Sequence, residues 1–450
     1  MGASLPHQSQ QKSTIKGIRG SFLDCLDDPF YCPVQDSIRY LEDGLLVIEN
    51  GHIRAFGPYA ELKTEYGHIP TVTYTNRLIT PGFIDTHIHY PQTEMIAAHG
   101  EQLLEWLTQY TFPTELKFSN QDYAQEIAEL FLDELLRNGT TTALVFTSVF
   151  PQSVDAFFEA AERRNLCMIA GKVMMDRNAP DELCDTAESA YAETKALIQK
   201  WHNRGRLRYA VTPRFAITST EKQLQLAGKL LQEFPDVYLH THLSENVAEV
   251  DWVKQLFPNC QGYLDTYDQA GLVQERSVFA HGVHLTDEEF QRLSQAKAAI
   301  AFCPTSNLFL GSGLFKLDQA KSREYPIKVG LGTDVGAGTS FSILQTANEA
   351  YKVAQLRQHT LSPFEALYLA TLGGAQALCL DDILGNFEVG KAADFVVLNP
   401  QSTPLMLLRN SANSANNLQS LTDRTFALMM LGDDRIVEAT YILGELSYSQ

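Results

Sequence analysis

Three features of the 450-residue sequence predict an α/β protein: a (β/α)₈ TIM-type barrel beside a small β domain built from the two ends of the chain. Short apolar runs alternate with amphipathic helical stretches between residues 81 and 383. β-like patterns flank that region at 13–80 and 384–450. Histidines and acidic residues gather at the C-terminal ends of the apolar runs, the end at which such barrels carry their active sites.

In chain order, residues 1–12 (MGASLPHQSQQK) are polar and are expected to be disordered; they lack the apolar stretch of a signal peptide. Gly44–Gly57 reads as two strands joined at Glu49-Asn50-Gly51, because Asn-Gly accepts the positive φ angles of a tight hairpin. Eight apolar runs follow, at 82–89, 141–148, 167–175, 207–215, 237–245, 277–285, 298–306 and 327–334. Their alternation with helical patterns argues for parallel βαβ units. The helix expected from about Gln121 to Arg137 sets Ile127, Leu130, Phe131 and Leu135 on one face and stops at Asn138-Gly139. Thr286 and Glu289 form a capping box, and Ser362-Pro363 is a cap followed by proline in the first helical turn. Beyond residue 384 the β character returns at 385–400 and in the closing IVEATYILGELSYS, while 410–417 (NSANSANN) reads as a loop. Trp106 and the surrounding LLEWLTQYTFP are expected to form a helix and loop over the barrel mouth.

The chain carries 35 basic against 54 acidic residues, a net charge of −19. That field repels phosphate backbones, so a small neutral or cationic substrate is expected and nucleic acid is not. Seven cysteines (25, 32, 167, 184, 260, 303 and 379) lie far apart with no C-x-x-C pair. This fits reduced thiols in a cytoplasmic protein. With no run of about 18 apolar residues, no membrane span is expected.

The chemistry is read from strand parity. Side chains at i and i+2 of a strand share a face, so His87 and His89 at the end of the first run both point to the barrel axis. Two imidazoles side by side on a rigid strand suit a first-row divalent metal. The fifth run carries His240 and His242; His242 lies nearer the catalytic end and is taken as a ligand, and His240 as a packed, hydrogen-bonded residue. The sixth run supplies His281 and the eighth ends at Asp334. Three imidazoles and a carboxylate make a site with room for water. Asp85, deeper on the same face, is expected to orient its neighbours. A two-metal centre often needs a bridging lysine; the fourth run has none, and Lys172 lies in the third. One metal is therefore expected, zinc foremost, with iron or manganese compatible.

The strings PGFIDTHIH, HTHLSE, AHG, GLGTD and GNFEVGKAADFVVLNP together resemble the amidohydrolase superfamily across nearly the whole chain. More narrowly, HYPQTEMIA, GTTTA, VTPRF, CPTSNL, GLGTDVGAGTS and LATLGGAQALCL are similar to its guanine deaminase family. The resemblance implies metal ligands at His87, His89, His242 and Asp334, the four that strand parity selects. It implies substrate contacts at Gln92, Arg214 and Phe215, a proton-shuttling acid at Glu245, and a histidine near the reacting water at His281. It also implies a homodimer.

The reaction then expected is hydrolysis of guanine to xanthine and ammonia by a metal-activated water. Asp334 would take the water's proton, His281 would bond the developing oxyanion, and Glu245 would carry a proton to the ring and then to the leaving ammonia. Arg214 would read the carbonyl and imidazole acceptors of guanine, and Gln92 its amide-like edge. Two other readings stand beside this one: a related amidohydrolase acting on s-triazines or another amino-heterocycle, and a non-catalytic scaffold without metal.

Overall fold

The computed structural model of the chain describes residues 15–100, 102–411 and 418–450. The expectation for residues 1–12 lies outside that set. All eight apolar runs form parallel strands: β1 (Phe83–His89), β2 (Thr140–Phe146), β3 (Cys167–Gly171, extended by Val173–Met174), β4 (Arg208–Pro213), β5 (Tyr238–Leu243), β6 (Ser277–His281), β7 (Ala299–Phe302) and β8 (Lys328–Leu331). They pair in sequence order from β1 to β8. The ring is drawn together just beyond β8, where Asp334 N donates to His87 O at 2.9 Å and His89 N donates to Val335 O at 3.0 Å. Thr86 Oγ1 adds a bond of 2.9 Å to Leu331 O. This seam sets Asp334 beside the two histidines of β1.

Both ends of the chain contribute to a separate seven-stranded sheet, ordered Glu445–Ser449, Val437–Ile442, Phe395–Leu398, Thr71–Pro81, Ile15–Cys25, Ile38–Glu49 and His52–Pro58. The hairpin turn falls at Asn50 and Gly51, with φ of 53° and 84°. A partly buried pair ties this sheet to the barrel: Arg206, ahead of β4, donates to Asp394, which also accepts from Leu443 N.

The Gln121–Arg137 helix has the predicted limits, capped by the Asn120 side chain and ended where Gly139 takes φ +78°. Ile127, Phe131 and Leu135 are buried, but Leu130 is 49% exposed. The buried stripe continues through Ala124, Ala128, Leu132 and Leu136, and at about 100° per residue Leu130 falls on the far side of the helix. The capping boxes at Thr286 and Ser362 are present.

The C-terminal region departs from the all-β expectation, because helices span Pro404–Ser411 and Leu418–Leu431. Of the expected loop at 410–417, residues 412–417 lie outside the described residues, and Asn410 and Ser411 are the last two residues of the first of these helices. Thr403 Oγ1 caps that helix by accepting from Met406 N, and Asn410 Nδ2 donates to Pro400 O. Among the described residues no helix is long and apolar enough to cross a membrane, and the seven cysteines are unpaired.

Candidate active site

His87, His89, His242 and Asp334 converge at the C-terminal mouth of the barrel, all buried, with one ligand atom of each within 4.8 Å of the others. His89 Nε2 lies 3.2 Å from both His87 Nε2 and His242 Nε2. Asp334 Oδ1 is 3.1 Å from His87 Nε2 and 3.3 Å from His89 Nε2. Donors about 2.0–2.1 Å from a tetrahedral ion would be about 3.3–3.4 Å apart, so these spacings match a metal centre.

Hydrogen bonds on the opposite ring nitrogens decide which lone pairs face inward. His242 Nδ1 donates to Arg214 O at 2.7 Å, and His87 Nδ1 contacts His240 Nε2 at 2.8 Å. Both arrangements leave Nε2 as the metal-facing atom. Phe146, at the end of β2, packs on His89, His240 and His242 with ring centroids 4.4–4.7 Å away. Burial in this apolar setting disfavours the imidazolium and pushes His89 down to about 3 and His242 well below the ordinary histidine value. Neutral imidazoles with converging lone pairs repel one another unless a cation lies among them. Burial pushes Asp334 up, but His87, His89 and His281 outweigh it and hold the carboxyl well below the usual range. The four residues fit a divalent metal.

The strand-end geometry is unusual in one respect. Ser244, His281 and Asp334 take left-handed backbone, with φ of 48°, 75° and 52°. Non-glycine residues adopt it at a cost of about 1–2 kcal/mol, a strain that often collects at functional sites.

The remaining predicted residues line the same cavity, with His89, Gln92, Arg214, Phe215, Glu245, His281 and Asp334 in its wall. His281 Nδ1 contacts Asn307 Oδ1 at 2.9 Å, while its Nε2 lies 3.4 Å from Glu245 Oε2 and 3.9 Å from Asp334 Oδ2. Burial, followed by repulsion from Glu249 and Asp334, raises Glu245 well above the usual carboxylate range. Phe215 is buried edge-to-face with His242, the ring centroids 6.4 Å apart.

Three further residues of the barrel strands take no ligand position. His240 packs one layer below the cluster, hydrogen-bonded to His87. Asp85 accepts from Thr333 N at 3.1 Å, bracing the residue before Asp334, and burial pushes it up to about 7. Lys172 pairs with Asp185 and, at 3.4 Å, with Glu193, away from the cluster.

The cavity roof is helical from Leu103 to Leu116, with residues 107–111 widened into a π turn. Pro113 has no N–H for the carbonyl four residues back, which favours the wider turn just before it. Leu103, Trp106 and Leu107 face the cavity. Glu115, from the same roof, was not anticipated: it is fully buried and accepts from both Arg214 and Gln92. Asn307 was also missed, although it lies in the CPTSNL string. The signal available for Glu115 was a lone acid on the apolar side of a helix, which invites a buried cationic partner.

A model of the amidohydrolase family matches residues 78–446. This chain belongs to the amidohydrolase family. It is 55% identical over 441 residues to a guanine deaminase from Escherichia coli, covering 97% of this chain and 98% of the relative. A solved structure of E. coli guanine deaminase superposes with TM-score 0.93 at 54% identity, covering 97% of this chain and 100% of that one. A solved structure of guanine deaminase from C. acetobutylicum with bound guanine in the active site superposes with TM-score 0.85 at 28% identity, covering 96% of this chain and 100% of that one.

Proposed function

We propose that this chain hydrolyses guanine to xanthine and ammonia, using one zinc ion held by His87, His89, His242 and Asp334. The observation that carries the reading is one cavity with a metal-ligand cluster on one wall and a base-reading pair, Arg214 and Gln92, on another. The similarity to guanine deaminases supports the same substrate. Bound zinc would lower the pKa of water enough to supply a nucleophile at neutral pH.

The chain's own residues then handle protons and position the base. Asp334 Oδ2 accepts the proton of the attacking water. His281, held by Asn307 through Nδ1, turns Nε2 toward the oxygen charge that develops on the ring carbon. Glu245, whose raised pKa favours the acid form, protonates the adjacent ring nitrogen, takes the second proton of the attacking oxygen as the new carbonyl forms, and passes it to the departing amine. The first proton returns from Asp334 to Glu245 and resets both carboxyls. Phe215 bounds the face of the base.

Arg214 uses only Nη1 for Glu115, so Nε and Nη2 remain for the carbonyl oxygen and imidazole nitrogen of guanine. Adenine lacks that carbonyl and would leave buried donors unpaired, which predicts discrimination against it. Incubating the purified chain with guanine while following ammonia and xanthine tests the reading. Turnover no better than that of ammeline, cytosine or adenosine would transfer the assignment to a related amidohydrolase, and protein isolated without metal would favour a scaffold. The proposal extends to a cytoplasmic homodimer in purine catabolism, checked by sedimentation and cell fractionation.

A further inference from the structure

Glu115 takes no part in the steps above, yet it holds both base-reading side chains. Arg214 Nη1 donates to Oε1 and Oε2 at 2.9 Å each, and Gln92 Nε2 donates to Oε1 at 3.2 Å. The other end of the Gln92 amide is also committed, because its Oε1 accepts from Gly336 N at 3.2 Å. Flipping the amide would set its oxygen against a carboxylate and its NH₂ against an N–H. Gln92 therefore offers its remaining donor and acceptor in one fixed order.

Charge is the second consequence. An uncompensated guanidinium in a dry cavity is a strong anion trap, and Glu115 cancels it at hydrogen-bond distance. The purine dione formed by deamination is a stronger acid than the amino-purine consumed and ionises near neutral pH. An unbalanced Arg214 would therefore hold the product more tightly than the substrate. We infer that Glu115 is a positioning and charge-balancing residue, which orients Arg214 and Gln92 toward a neutral base and weakens retention of the anionic product. Because Glu115 belongs to the roof helix that also presents Trp106, the base-reading pair is braced from above as well as, for Gln92, from Gly336 in the segment after β8. Other ionisable groups facing the cavity are His89, His242, His281, Glu245 and Asp334.

The inference rests on the guanine reading, and one experiment separates the two. Inhibition constants for xanthine and for the less acidic hypoxanthine are measured at about pH 8 in wild type and Glu115→Gln, with metal content and folding verified. The expected result is a shift of about tenfold or more toward xanthine in the ratio of the two constants. Glu115→Asp, which keeps the charge but shortens the reach, is expected to retain the wild-type ratio. Its KM for guanine should rise about tenfold, with kcat changed less than about threefold. Guanine turnover by the wild-type chain with an unchanged ratio in folded Glu115→Gln would overturn the role of Glu115 alone. If Glu115→Gln fails to fold, an unchanged KM in Glu115→Asp overturns it. Absence of guanine turnover in wild type would overturn the substrate reading and this inference with it.

Discussion

Replacing Glu245 by Gln removes a transferable proton while preserving the shape of the side chain. Glu245 is 3% exposed, with Ser312 Oγ 3.4 Å from its Oε1 and His281 Nε2 3.4 Å from its Oε2. Its backbone is anchored independently, since Glu245 N donates to Glu249 Oε2 at 2.8 Å. The strand-end turn should therefore survive the substitution. Proton transfer by a positioned side chain is worth about 10²–10⁴ in rate, or about 2.7–5.4 kcal/mol at about 1.36 kcal/mol per tenfold. We expect kcat for guanine to fall by that factor and KM to move less than about threefold. Burial already favours the neutral acid at this position, so the amide adds little desolvation cost and stability should stay within about 1 kcal/mol. Steady-state formation of xanthine, metal analysis and a thermal melt on one preparation measure all three quantities. A variant with full metal and more than about a tenth of wild-type turnover would remove Glu245 from proton transfer.

Other substitutions probe the cluster and the scaffold. His242→Ala should lower metal content per chain; unchanged stoichiometry by atomic spectroscopy would shift the ligand role to His240. His240→Phe leaves His87 Nδ1 without its partner and should weaken metal affinity about 10–100-fold in competition with a chelator, with the fold retained; unaltered affinity would show that the 2.8 Å contact does not orient His87. Removing metal by dialysis against chelator should lower the melting temperature and adding zinc should restore it, because an ion bound only by the native state stabilises by about 4 kcal/mol at a thousand times its Kd. Asp28→Asn leaves Lys321 buried without its ion-pair partner among Phe30, Tyr31 and Tyr368, and should cost about 3–5 kcal/mol in denaturant unfolding. Burial lowers the Lys321 pKa, so just below the ordinary lysine value the folded chain binds fewer protons than the unfolded one and stability rises with pH. Without Asp28 to oppose that shift, the deficit should shrink as the pH climbs toward that value. A pH-independent deficit would contradict the assignment.

Local patterning in the sequence was sufficient for the strands, several helix caps and the metal cluster. Period-2 alternation places His87 and His89 on one face wherever the strand is packed, and does the same for His240 and His242, which differ in their depth along the strand. Asn50-Gly51, Asn138-Gly139 and Thr286-x-x-Glu289 act through bonds within a few residues, so they hold without knowledge of the fold. Leu130 was misplaced because four apolar residues at mixed spacing fit more than one helical stripe, and the neighbours that choose between them are distant in sequence. The two helices after residue 403 were missed in a region judged by its flanking strands.

Contacts between remote segments were beyond such reading. Asp334 and Val335 meet β1 through backbone bonds, Asp334 N to His87 O and His89 N to Val335 O, that depend on the barrel's ends coming together. Glu115 meets Arg214 across 99 positions, and His281 meets Asn307 across 26. The residue types and strand parity in the sequence determined which side chains could bind a metal and face the axis. Tertiary structure decided which atoms of those side chains are left free, because each hydrogen bond from a remote partner uses one donor or lone pair and aims the other into the cavity.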